Sequence, residues 1–272
     1  MPVLRRAVVL FVALLAVPRV GAPQEAVSLT PEQMEAFLKE AKIIDVRDAG
    51  NGTTGSRRAT LSDGVITHDV HIQVIDDSKA IFRAGAATEL NFKDSYRFNI
   101  AGYRLARLVG LDNVPMSVER RYDGSTAAFT WWIDDVAMDE KERMKRREVG
   151  PDPARTTNQI AMMRVFDELI QNKDRNQGNI LWTGTWKMWL IDHTRAFRTD
   201  GKLMDPNQLT KIEAGLLERL RTLDANAVRA ALKGVATSGE ISALMRRRDA
   251  LVKLFDARIA KLGEAAVVFT AP

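Results

Sequence analysis

A polar loop in the second half of the chain has residue types and a spacing suited to phosphoryl transfer. Asp174 and Asn179 lie five residues apart in this loop, and Asp192 follows the next apolar run. Phosphoryl transfer needs a carboxylate that orients the attacking hydroxyl and metal ions that neutralise charge on the phosphates. Because Mg²⁺ takes oxygen ligands and keeps several waters and phosphate oxygens, one amide and one carboxylate can hold it. We therefore predict Asp174 as the orienting base and Asn179 with Asp192 as the metal ligands.

A predicted β-hairpin accounts for the way in which Asn179 and Asp192 meet. Two short apolar strands, 180–182 and 187–191, flank a Thr-Gly-Thr turn. If the tryptophan that ends the first strand pairs with Trp189, Asn179 lies directly opposite Asp192. Opposed residues of an antiparallel pair are about 4.5–5.5 Å apart. The amide oxygen and the carboxylate are therefore expected at one end of the hairpin.

Arg175, the neighbour of Asp174, supports two interpretations. Its guanidinium could stabilise the Asp174 carboxylate, or it could contact a phosphate of the donor. Asp, Asn and Gly also recur in tight loops that carry no chemistry, so the loop alone is a weak signal. The hairpin that follows, with Ile-Asp-His at 191–193, favours the phosphotransfer interpretation and a catalytic role for both residues.

The same stretch resembles one group of kinases. The run Asn-Lys-Asp-Arg-Asn-Gln-Gly-Asn-Ile-Leu at 172–181, followed by Leu-Ile-Asp-His at 190–193, is similar to the catalytic and metal-binding loops of atypical kinases. This group includes the phosphatidylinositol 3-/4-kinases, the HipA-like kinases and the secretory-pathway kinases. Their pattern is Asp-Arg-His-x-x-Asn and then a strand that ends in Asp. Upstream, residues 99–105, 108–111 and 114–115 resemble the helix and the following strand of the kinase small lobe.

The resemblance implies a phosphoryl donor, a metal and residue roles. It implies ATP as the donor and Mg²⁺ or Mn²⁺ as the metal, with Asp174 as base and Asn179 and Asp192 as metal ligands. The Trp-Trp-Ile-Asp strand at 131–134 corresponds to the kinase hinge, which puts Trp132 beside the adenine. The implied partners are a nucleotide and an acceptor substrate that the residues do not identify.

The chain departs from the kinase pattern at several positions, most of them in its first half. Asn176 stands where these families have histidine, and Asn99 stands where the small-lobe helix offers glutamate to a phosphate-binding lysine. That lysine is not evident in the sequence. The glycine-rich stretch 50–55 lacks the Gly-Lys-Thr of a P-loop, and a glycine-rich turn also forms plain hairpins. The nucleotide-binding candidates in this half are Lys79 and Lys93, Glu89 as a substitute acid, Gly52 in the glycine-rich stretch, and Gln73 in an alternative alignment.

The three histidines do not suggest a metal site of their own. His68 and His71 are three residues apart on a predicted strand, where their side chains point to opposite faces. His193 follows the predicted metal ligand Asp192 directly, but a structural hydrogen bond is the favoured interpretation of its role.

The order of the predicted elements indicates two lobes. Strand patterns dominate 43–83 and 116–133, with one helical pattern between them at 96–110, and helical patterns dominate from Thr156 onward. Together with the resemblance, this order predicts an α+β, two-lobed protein-kinase-like fold with a β-rich N-lobe and a mainly helical C-lobe. The predicted segments are a signal peptide or N-terminal anchor at 1–26, the N-lobe at 27–135, a connector of low order at 136–155 and the C-lobe at 156–272.

Composition and the N-terminus restrict the function classes. The chain of 272 residues has no cysteine, which excludes disulfide scaffolds, thiol nucleophiles and zinc sites built on thiolates. Its net charge of +5 is too small to predict a nucleic-acid partner. Two arginines and the apolar run 7–17 predict a signal peptide, and hence a secreted or periplasmic protein. If this segment is not cleaved, it anchors the exported protein and is its only expected contact with a membrane.

Three functions are compatible with these residues. The first is an exported, metal-dependent phosphotransferase that moves the γ-phosphoryl group of ATP to an unknown hydroxyl of a protein or lipid. The second is a catalytically inactive kinase-like binding module, favoured by the missing glutamate–lysine pair and by the scarcity of ATP expected outside a bacterial cytoplasm. The third is a lectin or adhesion domain with a tryptophan-rich surface, although core packing explains Trp182, Trp186 and Trp189 better.

Overall fold

The structure, a computed structural model, describes residues 29–50, 56–85 and 87–270, and strands dominate its N-terminal half. Five of these strands form one antiparallel sheet, and two more form a separate hairpin. The elements are α1 (Pro31–Glu40), β1 (Lys42–Asp48), β2 (Arg57–Ser62), β3 (Thr67–Gln73), β4 (Asp76–Ala84), β5 (Ala87–Ser95), α2 (Arg97–Leu108), β6 (Ser117–Tyr122) and β7 (Ser125–Trp131). The sheet order is β1-β2-β3-β7-β6, and the β4–β5 hairpin lies between β3 and α2 in the chain.

The C-terminal half is mainly helical. Its elements are β8 (Val136–Asp139), α3 (Glu140–Arg146), α4 (Pro153–Ile170), β9 (Ile180–Thr183), β10 (Met188–Leu190), β11 (Ile212–Glu213), α5 (Ala214–Thr222), α6 (Ala225–Ala231), α7 (Ser238–Leu262), α8 (Glu264–Val267) and β12 (Val268–Phe269). A three-stranded sheet has the order β10-β9-β8, and β11 pairs with β12. The predicted α+β class, with a β-rich N-lobe and a helical C-lobe, is confirmed.

Helix α1 begins where its local sequence signals place it. The Thr30 hydroxyl accepts a hydrogen bond from the Gln33 backbone N–H, and the Gln33 side chain accepts one from the Thr30 N–H. Such a capping box satisfies two backbone donors that a helix start leaves free, and Pro31 has the φ that the first turn needs. Helix α7 begins in the same way with Thr237 and Glu240.

The side chains of strand β3 alternate between two faces of the sheet. One face packs against α1 in the small-lobe core, and the other faces away from α1. Val70 and Ile72 are fully buried in a cluster with residues of α1. The His68 ring lies on this same face of the strand, where it stacks on Trp131 with 3.8 Å between ring centres. Because successive strand side chains alternate, His71 projects from the opposite face. The two histidines are thus on different faces, as their spacing predicts.

Residues 136–155 differ from the predicted connector of low order. They contain β8 and α3, and α4 begins within them at Pro153. Strand β8 pairs with β9, and the buried Glu140 accepts hydrogen bonds from Trp182 Nε1 at 2.8 Å and from Arg143 Nε at 2.6 Å. The charged composition suggested low order because the strand and tryptophan that stabilise this segment lie far along the chain.

One hydrophobic core joins α2 to the helical half. Phe98 and Leu105 of α2 are fully buried in the same cluster as Phe166 of α4 and Phe255 of α7. Helix α2 also contacts the small-lobe strands β6 and β7. It therefore connects the two halves of the molecule through packing.

Two predicted features lie outside the described residues: the signal peptide or anchor at 1–26, and Gly52 in the glycine-rich stretch. Within the part of the chain that the structure describes, no helix is both long and apolar enough to cross a membrane. The division into segments 27–135, 136–155 and 156–272 stays a prediction.

Candidate active site

The β9–β10 hairpin pairs in a register one residue away from the predicted one. Trp182 lies opposite Met188. Asn179 therefore faces Ile191, whose backbone N–H donates a hydrogen bond to the Asn179 carbonyl at 3.1 Å. The predicted direct pairing of Asn179 with Asp192 is wrong.

The turn of the hairpin explains the shift. The Thr183 N–H donates to the Lys187 carbonyl at 3.1 Å, which leaves a turn of three residues, 184–186, where the prediction implied two. Trp186 closes the turn in the left-handed region, with a φ of 61°. Three-residue hairpin turns commonly end in a left-handed residue, but tryptophan is not a sequence signal for one. Asp192 lies beyond the strand and is also left-handed, with a φ of 53°, so the local backbone rather than strand pairing directs its side chain.

Asp174 and Asn179 are in contact across the polar loop. Asn179 Nδ2 donates a hydrogen bond to the Asp174 carbonyl at 3.3 Å. Since this contact uses the amide nitrogen, Asn179 Oδ1 remains an acceptor that can bind a cation. The Asp174 N–H donates to Asn172 Oδ1 at 3.1 Å. Among the described residues no donor contacts the Asp174 carboxylate, which leaves it available to an acceptor hydroxyl.

Arg175 holds the loop together, and among the described residues it does not contact the Asp174 carboxylate; its contact with a phosphate stays a prediction. Its side chain is 8% exposed and binds Asp167 of α4, with 3.0 Å between Nε and Oδ2. Its Nη1 donates to the carbonyls of Asn179 and Ile191, at 3.0 and 2.6 Å. The guanidinium thus joins α4, the polar loop and the residue before Asp192. Arg175 is a positioning residue for both predicted metal ligands.

Asp192 has one carboxylate oxygen held by the protein. Its Oδ1 accepts hydrogen bonds from the Thr194 hydroxyl at 2.9 Å and from the Thr194 N–H at 3.3 Å. In the described part of the chain no donor contacts Oδ2. Asp192 Oδ2 and Asn179 Oδ1 therefore fit the oxygen ligands that Mg²⁺ and Mn²⁺ prefer. Within the described residues no group of three His, Cys, Asp or Glu side chains could hold a metal ion, so phosphate oxygens and water would have to complete this set.

Asp94, at the end of β5, is a third acid near the two predicted ones, and no sequence motif points to it. Burial raises the pKa of Asp94, a hydrogen bond with Thr194 opposes this, and the negative charges of Asp192 and Asp174 raise it further. Asp94 and Asp192 share Thr194 as a hydrogen-bond partner, so these two acids are neighbours, and Asp174 acts on Asp94 through its charge. Asp94 Oδ1 is buried and has no hydrogen-bond partner among the described residues. A bound cation would relieve this repulsion.

Asn99 contacts the residue that follows Asp192. Its Oδ1 accepts a hydrogen bond from the His193 backbone N–H at 2.7 Å, and both side chains are buried. The His193 ring packs edge-on against Phe166, and a Cβ added at Gly102 would lie 3.1 Å from the ring Cγ. Burial holds the pKa of His193 well below its usual range, so the ring is neutral. These contacts agree with a structural role for His193.

The two lysine candidates for a phosphate contact already bind acids. Lys79 lies on the exposed β4–β5 hairpin and binds Asp77 at 2.7 Å. Lys93 binds Glu240 at the start of α7, also at 2.7 Å. Among the described residues neither lysine contacts the carboxylate of Asp94, Asp174 or Asp192. The structure does not bring these two candidates together with the polar loop.

Glu89 binds arginines and not a lysine. It forms ion pairs with Arg195, at 2.6 Å, and with Arg198, both in the segment after Asp192. Arg198 also donates hydrogen bonds to the carbonyls of Asn91 and Lys93, at 3.2 Å each. The acid therefore fastens the β4–β5 hairpin to the segment that follows a predicted metal ligand.

Trp132 directly follows β7, where the chain passes to the C-terminal half. Its backbone N–H donates to the Asp69 carbonyl of β3 at 3.2 Å. The Arg58 guanidinium lies 4.0 Å from the centre of the Trp132 ring, and Arg58 Nε binds Asp69 Oδ2 at 2.7 Å. This place fits the predicted hinge. Arg58 makes a cation–π contact with one face of the ring.

Comparison with solved structures identifies the fold as kinase-like. A hydra Fam20 protein solved with a sugar has a TM-score of 0.66 and 15% identity, covering 88% of this chain and 92% of its own. The Golgi casein kinase with Mn and ADP bound has a TM-score of 0.65 and 12% identity, covering 89% and 80%. The Helicobacter pylori proinflammatory kinase CtkA has a TM-score of 0.54 and 11% identity, covering 83% and 98%. No family model and no curated protein sequence matches the chain. At these identities the likeness establishes the fold, and the predicted resemblance to atypical, secretory-pathway kinases is confirmed at that level.

Proposed function

We propose that this chain is an exported, metal-dependent phosphotransferase that moves the γ-phosphoryl group of ATP to a hydroxyl group of a protein or lipid. The observation that carries the proposal is the polar loop, where Asn179 is anchored on the Asp174 carbonyl and its own carbonyl binds the N–H of Ile191, the residue before Asp192. The kinase-like fold and the Mn and ADP bound to the Golgi casein kinase support it.

Each residue of the site has a separate role in this reaction. Asn179 Oδ1 and Asp192 Oδ2 would hold Mg²⁺ or Mn²⁺, which neutralises charge on the phosphate oxygens when bound. Asp174 accepts the proton of the acceptor hydroxyl while the hydroxyl oxygen forms its bond to the γ-phosphorus. The bond between the γ-phosphorus and the β–γ bridging oxygen breaks, and ADP leaves. Arg175 keeps the two metal ligands in place because it binds the backbone carbonyl of Asn179 and that of Ile191, the residue before Asp192.

Export of the protein depends on its N-terminal segment. The arginines and the apolar run 7–17 are typical of a signal peptide. Segment 1–26 would direct the chain to the periplasm or the medium and, if uncleaved, anchor it to the membrane. The mass of the mature protein in cell fractions tests this part of the proposal: an intact N-terminus on protein in the cytoplasmic fraction would contradict it.

A transfer assay with γ-labelled ATP and Mn²⁺ tests the chemistry. Asp174→Asn should lower transfer to a protein or lipid acceptor by about 10²–10⁴-fold, the usual contribution of a general base. It should keep the rise in melting temperature that Mn²⁺ and ATP cause in the wild type, because bound ligand stabilises the folded state. Asp192→Asn should abolish both effects. Asp77→Asn, which changes an exposed acid of the β4–β5 hairpin, is the control and should change neither.

An inactive kinase-like binding module is the second candidate. It is favoured because Lys93 binds Glu240 and Asn99 binds His193, so the described residues contain no lysine–glutamate pair at α2. In that case Mn²⁺ and ATP raise the melting temperature of the wild type, but no labelled phosphate is transferred. Transfer that is lost in Asp174→Asn would exclude this candidate.

A further inference from the structure

We propose that His71 contacts the phosphate groups of the bound nucleotide and takes the place of the lysine that the sequence lacks. The inference rests on the proposed function, because it names a further ligand contact in the same site. His71 was not among the predicted site residues, and its position on β3 carries the argument.

The sheet directs His71 toward the C-terminal half. Its neighbours Val70 and Ile72 are buried on the α1 face of β3, so the imidazole projects from the other face. On β7, Thr130 lies opposite His71, and Ala128, on the same face as Thr130, is buried in the large core that contains α4 and α7. The His71 ring therefore points into the space between the two lobes.

The negative charge of Asp192 acts on His71 across this space. It opposes the effect of burial, which lowers the pKa of His71. A nucleotide whose phosphates share a metal ion with Asp192 would lie beside this imidazole. Among the described residues neither ring nitrogen of His71 has a hydrogen-bond partner, so an N–H is available to a phosphate oxygen.

Four cationic side chains around the site are each bound to an acid, and Lys173, which has no such partner among the described residues, lies on the exposed side of the polar loop. A triphosphate beside the carboxylates of Asp174 and Asp192 needs a donor that is not already paired. His71 meets this need, since an imidazole N–H is a suitable donor to a phosphate oxygen. The pairs already formed are Lys93 with Glu240, Arg195 and Arg198 with Glu89, and Arg175 with Asp167.

Binding of ATP and of adenosine, each with Mn²⁺, separates a phosphate contact from a structural role. By calorimetry, His71→Ala should bind ATP about tenfold or more weakly than the wild type but adenosine within about twofold, because only ATP loses a charge-assisted hydrogen bond. His71→Lys should recover most of the ATP affinity. His68→Gln, on the opposite face of the same strand, is the matched control and should keep the preference for ATP.

The inference fails if folded His71→Ala retains the wild-type ratio of ATP affinity to adenosine affinity. His71→Phe keeps a ring in place but lacks an N–H, so it must show the same loss of ATP preference. This variant replaces His71→Ala in the test if the alanine variant does not fold. A wild-type protein that binds neither ligand would instead overturn the proposed function, which distinguishes the two failures.

Discussion

The side-chain oxygen of Asn99 accepts a hydrogen bond from the backbone N–H of His193 at 2.7 Å. This bond joins α2 of the small lobe to the residue after Asp192. From the sequence, Asn99 looks like the loss of a functional residue, because the kinases that the chain resembles have glutamate at this position. In the structure the asparagine has a different use: it fixes the backbone next to a proposed metal ligand, so the position of Asp192 depends on α2.

Asn99→Ala should lower both stability and metal binding. It leaves the buried His193 N–H without an acceptor, which costs about 1–3 kcal/mol of unfolding free energy. It should also weaken binding of Mn²⁺ with ATP, because Asp192 is the adjacent residue. Urea denaturation and calorimetry measure the two effects. Asn113→Ala is the control, since the buried Asn113 Oδ1 has no partner among the described residues; equal losses in both variants would contradict this account.

Asp167→Asn should be strongly destabilising. It breaks a buried ion pair with Arg175, in which the two side chains are 8% and 9% exposed, and loss of such a partner costs about 3–5 kcal/mol. Asp77→Asn breaks the exposed pair with Lys79 and should cost less than about 1 kcal/mol in the same urea titration. If Arg175 contacted phosphate rather than positioned the loop, Asp167→Asn would change ATP affinity with little loss of stability.

Gly102→Ala should not give the stabilisation that alanine usually brings to a helix. The helix preference favours alanine by about 1 kcal/mol, but the new Cβ would lie 3.1 Å from Cγ of His193. That ring is buried and its backbone is held by Asn99, so it has little freedom to yield. Gly239→Ala in α7, whose nearest neighbouring atom is 4.0 Å away, should raise the melting temperature. Equal increases in the two variants would show that the His193 ring moves freely.

Asp94→Asn should stabilise the metal-free protein in a pH-dependent way. Burial, and then the charges of Asp192 and Asp174, raise the pKa of Asp94 above its ordinary value of 3.8, although a Thr194 hydrogen bond opposes this. The folded state therefore holds the proton more tightly than the unfolded chain, and stability falls as the pH rises from 3.8 through the folded-state pKa.

The Asp94→Asn variant does not lose stability in this way as the pH rises. In EDTA its melting temperature should exceed that of the wild type at about pH 7, and the difference should shrink toward zero below the unfolded pKa of about 4. A difference of the same size at both pH values would mean that packing, and not ionisation of Asp94, is responsible.

Features that depend on short-range interactions were predictable from the sequence. The start of α1 follows from Thr30, Pro31 and Gln33, whose capping contacts form within one turn. The opposite orientations of His68 and His71 follow from strand alternation alone. The Asp174 loop was recognisable because its residue types are close together in the chain.

Features that depend on distant contacts were not predictable in this way. The predicted register of the β9–β10 hairpin was wrong by one residue. The reason is that Trp186 adopts a left-handed backbone conformation, which a tryptophan does not signal in a sequence. Asp94 and His71 reach the site from β5 and β3, and their nearness to Asp192 arises only when the two halves pack. The charged segment 136–155 is ordered by pairing with β9, which no local pattern reveals.

The ion pairs of the β4–β5 hairpin restrict how the two lobes can move. Glu89 binds Arg195 and Arg198, and Lys93 binds Glu240, so two acid–base clusters attach the hairpin to the helical half. A movement that separates the hairpin from the helical half must break these ion pairs, and the shared core of α2, α4 and α7 opposes it as well. Separation of the lobes is therefore coupled to the loss of the ion pairs.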